Sequence, residues 1–319
     1  MSAMKTRGYV SSLALPLFVA AATAAFEPPV TSRPAEPRPD MHARTAAGSR
    51  IARDIAYVEK AHPQQKLDIY APAQAKDAPV VVFVHGGEWT KGDKSEVSFK
   101  PEFLNNNGIV FVSVNYRLSG TAKHPAQVED IACAMRWIRD HIHEYGGAPS
   151  RLILMGHSAG CHLVTLLGLD PRPLARQGLK PADLAGVVSW SGGAFDLVEK
   201  VKSGGMYADY IKINFGPDEK TWRDASPMNH IADTRPLPKF LFASAGAHKP
   251  ESRLASEKMA AMIREVGGDA TTILLEGKSH TNANHELGMP GDKTGRQLLD
   301  FIGAAINNRP LTPQKNPTS

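Results

Sequence analysis

The sequence has 319 residues, of which 42% are hydrophobic and 22% are charged, a composition that is typical of a globular protein. The formal net charge is only +5, and no basic run interleaved with aromatic residues occurs, so nucleic-acid binding is not expected. The two cysteines, Cys133 and Cys161, are too few for a disulfide framework. Both fall on predicted helices, so two buried free thiols are expected, and a single bridge between neighbouring helices is left open.

Residues 1–25 have the pattern of a secretory signal peptide. Lys5 and Arg7 precede an apolar run that ends in small residues at Ala25, and a basic start with a short apolar core and an Ala-x-Ala-like end is typical of a cleaved signal. The run contains serines, a proline and many alanines, so it is a poor membrane anchor. We therefore predict export, without stable membrane insertion after cleavage. Residues 26–50 are rich in proline and predict a disordered or extended leader.

Strand and helix patterns alternate from residue 51 to residue 307. Residues 53–59 and 66–70 alternate apolar and polar side chains, as a half-exposed antiparallel hairpin does. Six continuous apolar runs indicate central strands covered on both faces; they are residues 80–84, 109–114, 152–155, 185–190, 240–243 and 271–275. Apolar stripes at helical spacing occupy residues 128–142, 257–266 and 296–305. We predict one α/β domain with a doubly wound, mostly parallel twisted sheet, helices on both faces, and a ligand site at the carboxyl ends of the strands.

Two segments depart from this alternation. Residues from about 198 to 235 combine glycines, aromatic residues and nearby prolines without a regular pattern, and they predict a small cap between two strands. Residues 308–319 are predicted to be a disordered tail. No internal repeat and no second domain are visible in the sequence.

The segment His-Gly-Gly-Glu-Trp, residues 85–89, directly follows a predicted central strand. Glycines at such a position let the bare backbone approach a substrate carbonyl and aim N–H groups at it. We expect the N–H groups of Gly87 and Glu88, together with that of Ala159, to form an oxyanion hole. His85 is expected to brace the loop, and an ordinary glycine turn after a strand is the alternative.

The segment Gly-His-Ser-Ala-Gly, residues 156–160, lies between an apolar strand pattern and an apolar helix pattern. Gly-x-Ser-x-Gly at such a junction indicates a nucleophile elbow, a strained turn that lifts a serine hydroxyl above the sheet edge. Glycines are needed on both sides of the serine because side chains there would collide with the adjacent strand and helix. The start of the helix also directs free N–H groups at a forming oxyanion. We predict Ser158 as the nucleophile, and a purely structural tight turn is the alternative.

A serine nucleophile needs a histidine base, and the chain order in this architecture is serine, acid, histidine. His280 follows the last predicted strand and is the predicted base, with His285 on the same segment as the fallback. The acid is expected after the preceding strand, where Glu251 is the only carboxylate in residues 244–252. Asp196, in the loop after the neighbouring strand, is the competing candidate, and a site without an acid is also left open.

These residues together resemble the α/β-hydrolase superfamily. More narrowly, they are similar to carboxylesterases with His-Gly-Gly-x-Trp oxyanion loops, which are related to hormone-sensitive-lipase-like esterases, kynurenine formamidase, and feruloyl and acetyl-xylan esterases. The matching motifs lie between residues 53 and 305 and are His85-Gly-Gly-Glu-Trp89, Gly92-Asp-Lys94, Val114-Asn-Tyr-Arg-Leu118, His124-Pro-Ala-Gln127 with Glu129-Asp130, Gly156-His-Ser-Ala-Gly160, and Ser279-His280 with Glu286-Leu-Gly288. The resemblance implies an α/β-hydrolase fold and the same nucleophile, base and oxyanion amides. It also implies that the family's catalytic aspartate falls at Lys249.

The sequence therefore predicts an exported serine hydrolase that cleaves small-molecule carboxylic esters through an acyl-enzyme, without a metal or organic cofactor. One alternative is an amide or formamide hydrolase of the kynurenine formamidase type, in which His280 would protonate a leaving nitrogen. The other is a ligand-binding pseudoenzyme, which Lys249 favours because a lysine cannot accept a hydrogen bond from an imidazole.

Overall fold

The structure is a computed structural model that describes residues 43–231, 236–246 and 250–311. The predicted signal peptide, most of the predicted leader, and Lys249 lie outside these residues. The described residues belong to one compact unit. Among them, no helix is both long enough and apolar enough to cross a membrane.

The centre of the fold is one sheet of eight strands in the order β1-β2-β4-β3-β5-β6-β7-β8. The strands are β1 (Arg50–Ala56), β2 (Lys66–Ala71), β3 (Ala78–Val84), β4 (Val110–Val114), β5 (Gly147–His157), β6 (Gly186–Trp190), β7 (Lys239–Ala245) and β8 (Ala270–Leu275). Strand β2 pairs antiparallel with both β1 and β4, and the remaining five pairings are parallel. The predicted hairpin and the predicted mostly parallel sheet are both confirmed.

Helices connect the strands and cover both faces of the sheet. The described residues contain α1 (Lys100–Asn106), α2 (Ala126–His141), α3 (Ala159–Leu169), α4 (Pro171–Ala175), α5 (Leu197–Lys202), α6 (Met206–Phe215), α7 (Glu219–Asp224), α8 (Pro250–Glu265), α9 (His280–His285) and α10 (Thr294–Ile306). Single 3-10 turns lie at Ile142–Tyr145, Pro181–Asp183 and Pro227–His230.

Strand β3 explains why the continuous apolar runs became central strands. Successive side chains of a strand point to opposite faces of the sheet. Val80, Val82 and Val84 pack in the core layer with α2, α3 and α8, whereas Val81 and Phe83 pack in the opposite layer with α1 and α10. Both faces of the strand are therefore buried, and this explains why its residues are apolar without alternation.

The predicted helices are present, and the differences have local causes. Helix α8 begins at Pro250, earlier than its apolar stripe indicates, because its first turn is exposed and polar. Helix α1 was not predicted because it has only seven residues and two of its buried positions, Lys100 and Asn105, are polar. A helix this short with polar residues at buried positions shows no apolar periodicity in the sequence.

The predicted cap, the free cysteines and the start of the predicted tail are all described, at least in part. Helices α5, α6 and α7 and the turn at Pro227–His230 fall within the predicted cap segment. Cys133 and Cys161 are both free thiols, so the bridge is not formed; Cys161 is buried as expected, whereas Cys133 is only half-buried. Within the predicted tail, the N–H of Leu311 donates to Asp269 Oδ2 at 3.3 Å; residues 312–319 lie outside the described residues.

Candidate active site

Ser158 lies at the junction between β5 and α3, as predicted. Its φ of 55° and ψ of −117° form a strained backbone conformation for a residue with a side chain. A Cβ on Gly156 would lie 2.3 Å from the carbonyl oxygen of Gly160, and a Cβ on Gly160 would lie 2.2 Å from that of Val84. The turn is therefore possible only with glycine on both sides of the serine, and it has the geometry of a nucleophile elbow.

His280 is the histidine that reaches this serine. It is the first residue of α9, which follows β8, and the preceding Ser279 caps the helix by accepting from the N–H of Asn282 at 3.0 Å. His280 Nε2 lies 3.0 Å from Ser158 Oγ. His285, the fallback candidate, lies at the other end of α9. The structure thus brings the predicted nucleophile and the predicted base into hydrogen-bond distance.

A second imidazole forms a hydrogen bond with the His280 backbone. His157, the last residue of β5, donates from Nε2 to the His280 carbonyl oxygen at 3.1 Å, and the two ring centroids are 4.7 Å apart. Burial lowers the pKa of His157 well below its ordinary value, and the neighbouring His280 acts in the same direction. His157 is therefore neutral and serves as a hydrogen-bond donor that fixes the position of His280.

The predicted oxyanion loop approaches Ser158 with bare backbone. A Cβ on Gly86 would lie 2.8 Å from Ser158 Cβ, so a side chain at that position would displace the serine. Gly87, Glu88 and Trp89 all have positive φ, at 107°, 51° and 59°. The Gly87 carbonyl oxygen accepts from the N–H groups of the two residues that follow Trp89, at 2.9 and 3.0 Å, which closes a tight turn.

The amide groups of this turn are available to a ligand. Within the described part of the chain, the N–H groups of Gly87, Glu88 and Ala159 donate to no protein acceptor. Ala159 is the first residue of α3, where an N–H has no partner inside the helix. Unengaged N–H donors near a serine hydroxyl are groups of the kind that can stabilise an oxyanion.

The cap braces the loop at residues 85–89, and the sequence did not predict this contact. Asn214 of α6 donates from Nδ2 to the Glu88 carbonyl oxygen at 3.0 Å. Trp89 is buried, and its ring packs edge-on against His162 and Phe215 at centroid distances of 5.3 and 5.2 Å. No local signal marks Asn214 in the sequence, because the residue it contacts is 126 positions away.

His85 holds the loop from its other end, as expected. Its ring is buried, stacks on Tyr116 at 4.6 Å, and has Nδ1 2.8 Å from the Gly86 carbonyl oxygen. Burial lowers the pKa of His85 below its ordinary value. A Cβ on Gly92 would lie 2.4 Å from His85 Nδ1, so that glycine is also required by packing.

Other matching motifs form the scaffold behind the loop. Lys94 Nζ lies 2.7 Å from Asp68 and 3.0 Å from Asp54, which ties the segment after the His85–Trp89 loop to the first two strands. Arg117 forms a two-point ion pair with the buried Asp130, with distances of 2.8 and 2.7 Å. These polar residues form ion pairs that hold the scaffold together.

The two predicted acids lie away from His280. Asp196 is the N-cap of α5 and accepts from the N–H of Glu199 at 3.0 Å. Glu251 is exposed in the first turn of α8, and both carboxylates line a surface cavity beside Lys258. No hydrogen bond or ion pair within the described residues joins either carboxylate to His280. The structure therefore does not bring them to the imidazole.

Ser191 is a contact of His280 that the sequence did not predict. It directly follows β6, and its Oγ lies 2.9 Å from His280 Nδ1. The described residues contain no group of three or more His, Cys, Asp or Glu side chains that could hold a metal ion. The assembled groups are a serine, an imidazole and unengaged amides, which are the functional groups that acyl transfer needs.

The fold and the elbow define an α/β-hydrolase. Esterase B from Lactobacillus rhamnosis superposes with a TM-score of 0.70 at 21% identity, covering 83% of this chain and 90% of that chain. A truncated carbohydrate esterase from gut microbiota also superposes with a TM-score of 0.70, at 20% identity, covering 82% of this chain and 99% of that chain. At these identities the superpositions show the shared fold, which confirms the predicted fold class.

Residues 67–247, more than half of the chain, match the BD-FAE family, and the chain belongs to that family. It is similar to the probable isoprenylcysteine alpha-carbonyl methylesterase ICMEL1 of Arabidopsis thaliana, with 29% identity over 83% of this chain and 60% of the relative. It is also similar to Esterase LipQ of Mycobacterium tuberculosis, with 27% identity over 85% of this chain and 66% of the relative. The chain thus spans less than two thirds of the length of these curated relatives. The predicted resemblance to carboxylesterases is confirmed.

Proposed function

We propose that this protein is a serine hydrolase that cleaves small-molecule carboxylic esters. One observation carries the proposal: Ser158 Oγ lies 3.0 Å from His280 Nε2 on a strained elbow, beside three amide groups that have no acceptor in the described chain. The names of the relatives, which include a methylesterase and an esterase, support the same reaction class.

The proposed reaction begins when Ser158 Oγ bonds to the ester carbonyl carbon while its proton moves to His280 Nε2. The carbonyl oxygen becomes an oxyanion and accepts hydrogen bonds from the N–H groups of Gly87, Glu88 and Ala159. Removal of one such donor in a well-studied protease raises the barrier by about 3 kcal/mol. These preformed donors therefore supply a large part of the proposed rate enhancement.

The acyl-enzyme forms when the tetrahedral species collapses. His280 gives its proton from Nε2 to the departing alkoxide, and the alcohol leaves while the acyl group stays on Ser158 Oγ. A water molecule then attacks the acyl carbon and gives its proton to the same nitrogen. A second collapse returns that proton to Ser158 and releases the carboxylic acid, so no cofactor is required.

The proposal is tested by hydrolysis of p-nitrophenyl acetate, butyrate and octanoate by the purified protein and by Ser158→Ala. Ser256→Ala is the matched control, because it removes a buried hydroxyl that bonds Ser244 and the Ser252 carbonyl. We expect turnover by the wild type and by the control, and its loss in Ser158→Ala. A folded wild type without turnover of any of the three esters contradicts the proposal.

Two other functions are distinguished by the same assay with further ligands. An amide hydrolase would use the same groups, with His280 protonating a leaving nitrogen, so faster cleavage of a formanilide than of the esters would favour that function. A ligand-binding pseudoenzyme would bind an ester without releasing an alcohol. The unengaged amides beside Ser158 favour turnover, because a purely binding role does not need them.

We also propose that the protein is exported, on the evidence of the sequence pattern of residues 1–25. The test is expression of the whole chain in a Gram-negative host, followed by fractionation and N-terminal sequencing. We expect periplasmic protein whose N-terminus lies close to Ala25. Cytoplasmic protein that retains Lys5 and Arg7 would contradict export.

A further inference from the structure

Ser191 occupies a fixed position at the carboxyl edge of the sheet. It follows the last residue of β6, is only 4% exposed, and donates its backbone N–H to the carbonyl oxygen of Ala243 in β7 at 2.7 Å. A Cβ on the next residue, Gly192, would lie 2.3 Å from Cys161 Cβ, so the chain after Ser191 runs directly against α3. The position of the Ser191 side chain is therefore set by two strands and a helix.

The backbone of Ser191 is also strained. Its φ is 62°, a value that residues with side chains adopt rarely. Strained residues persist only where the surrounding structure determines them, and they are frequent at functional sites. Ser158 has a φ of 55°, so Ser158 and Ser191, which both contact the His280 ring, share a positive φ.

Each nitrogen of the His280 ring lies within hydrogen-bond distance of a serine hydroxyl, and the role as a base decides which nitrogen carries the proton. Nε2 lies 3.0 Å from Ser158 Oγ, and Nδ1 lies 2.9 Å from Ser191 Oγ. In a neutral imidazole one nitrogen donates and the other accepts. A general base toward Ser158 must have an unprotonated Nε2, so Nδ1 carries the hydrogen and Ser191 Oγ accepts it.

Resting on the proposed ester hydrolysis, we propose that Ser191 is a positioning residue, whose hydroxyl holds the His280 imidazole in the orientation and tautomer that serve Ser158. The proton of Ser158 moves to Nε2 and later to the leaving group. The hydrogen on Nδ1 and the hydrogen of the Ser191 hydroxyl stay where they are throughout. Ser191 thus does at Nδ1 the orienting work that a carboxylate does in a Ser-His-Asp triad.

A hydroxyl and a carboxylate differ in how they affect the imidazolium ion. A hydroxyl offers a dipole, and hydrogen bonds to an ionised acceptor are roughly twice as strong as those between neutral groups. His157 packs against the same ring, and Lys100 and His285 act electrostatically on His157. These three groups are unchanged when residue 191 is substituted, so differences among such variants report on the contact at Nδ1.

The first test compares Ser191→Ala with the wild type and with Ser256→Ala, which removes another buried hydroxyl outside the site. We expect kcat for p-nitrophenyl butyrate to fall about tenfold in Ser191→Ala and KM to change by less than about twofold. Ser191→Gly serves if the alanine variant does not fold, because glycine adopts a positive φ without strain. Wild-type kcat in both Ser191 variants would overturn the proposal.

The pH dependence of kcat/KM separates positioning from a structural role. Ser191→Ala removes an acceptor that favours the imidazolium ion, so the acidic limb should move to lower pH. Ser191→Asp puts a negative charge there, and aspartate tolerates a positive φ better than most residues, so the limb should move to higher pH. An acidic limb that stays in place in both variants would overturn the proposal.

A third measurement does not depend on turnover and so separates this inference from the proposed function. NMR of the protein labelled with 15N-histidine reports which nitrogen of His280 is protonated. We expect His280 protonated at Nδ1 in the wild type and in Ser158→Ala, and a mixture of both tautomers in Ser191→Ala. A wild type that is protonated at Nε2 would overturn the role of Ser191. A wild type protonated at Nδ1 that cleaves no ester would instead refute the ester hydrolysis alone.

Discussion

The nucleophile and the base of the proposed site are held in different ways. Ser158 is fixed by its own neighbours in the chain, because Gly156 and Gly160 leave room for a turn that no other residues would allow. His280 is fixed by distant residues: His157 holds its backbone, and Ser191 contacts its ring from 89 positions away. The nucleophile side of the site, around Ser158, depends on residues that are adjacent in the sequence. The imidazole side, around His280, depends on residues that the sheet brings together from distant parts of the sequence.

The two sides should therefore differ in how strongly substitutions affect them. A local turn depends on backbone space, so substitutions there act through steric clashes. A side assembled by contacts depends on hydrogen bonds, whose individual losses are moderate, about 1 kcal/mol each. Substitutions on the nucleophile side should therefore be severe, and those on the imidazole side graded.

The largest effect is expected at the nucleophile. Ser158→Ala removes the atom that forms the acyl-enzyme, and we expect kcat for p-nitrophenyl butyrate to fall by at least about a thousandfold. The assay is performed beside a thermal melt, which should be unchanged. Residual turnover within about tenfold of the wild type would mean that another residue attacks the ester.

Gly156→Ala tests the claim that the elbow depends on backbone space. The new Cβ would lie 2.3 Å from the carbonyl oxygen of Gly160, and overpacking of this kind destabilises by about 1–3 kcal/mol. We expect a lower urea midpoint and a large loss of kcat. Gly120→Ala is the matched control, because no atom lies within 4 Å of its Cβ and its φ is not positive. Equal stability of the two variants would refute the steric argument.

Asn214→Ala tests whether the cap supports the oxyanion loop. The change removes the donor to the Glu88 carbonyl oxygen, so the backbone of Glu88 is held less firmly and its N–H group points less consistently at the oxyanion. We therefore expect kcat to fall about tenfold. Asn229→Ala removes an exposed hydrogen bond to the Arg223 carbonyl within the same cap and should have little effect. Similar kinetics for the two variants would exclude a special role for Asn214.

Lys100→Met tests the imidazole side through stability. Lys100 is buried, donates to the Asn284 carbonyl oxygen of α9 at 2.6 Å, and has its pKa lowered by burial to about 7. Between pH 7 and pH 10 the unfolded chain therefore binds more protons at this lysine, so the wild type gains stability as the pH rises. Relative to Lys100→Met, the gain from pH 7 to pH 9 should be about 2 kcal/mol.

Urea denaturation of both proteins at several pH values measures this difference. His157 and His285 are the titratable neighbours that interact with Lys100, and both are present in the variant and the wild type. A stability difference that does not change between pH 7 and pH 9 would show that Lys100 stays charged in the fold.

The smallest effects are expected at the two carboxylates that the sequence offered as acids. Glu251→Gln and Asp196→Asn should leave kcat within about twofold of the wild type, because neither hydrogen-bonds to His280 within the described residues. Asp196→Asn should also leave stability nearly unchanged, since asparagine caps a helix about as well as aspartate. A large loss of kcat in either variant would restore that residue as the orienting acid.

The sequence predicted the local side of the site because its signals are local. Continuous apolar runs marked the central strands, and the spacing of Gly156, Ser158 and Gly160 marked the elbow. His280 was found from its place after the last strand. Ser191 and Asn214 were missed, because a hydroxyl and an amide have no characteristic spacing and act across distances of 89 and 126 positions.

The measurement that tests the central claim most directly is labelling with a fluorophosphonate, followed by tandem mass spectrometry of the digested protein. Such a reagent reacts with a serine whose hydroxyl is activated by a base. We predict a single adduct on Ser158, formed rapidly in the wild type and much more slowly in His280→Ala. Labelling of a different residue, or no adduct on folded wild-type protein, would contradict the account of Ser158 as a nucleophile activated by His280.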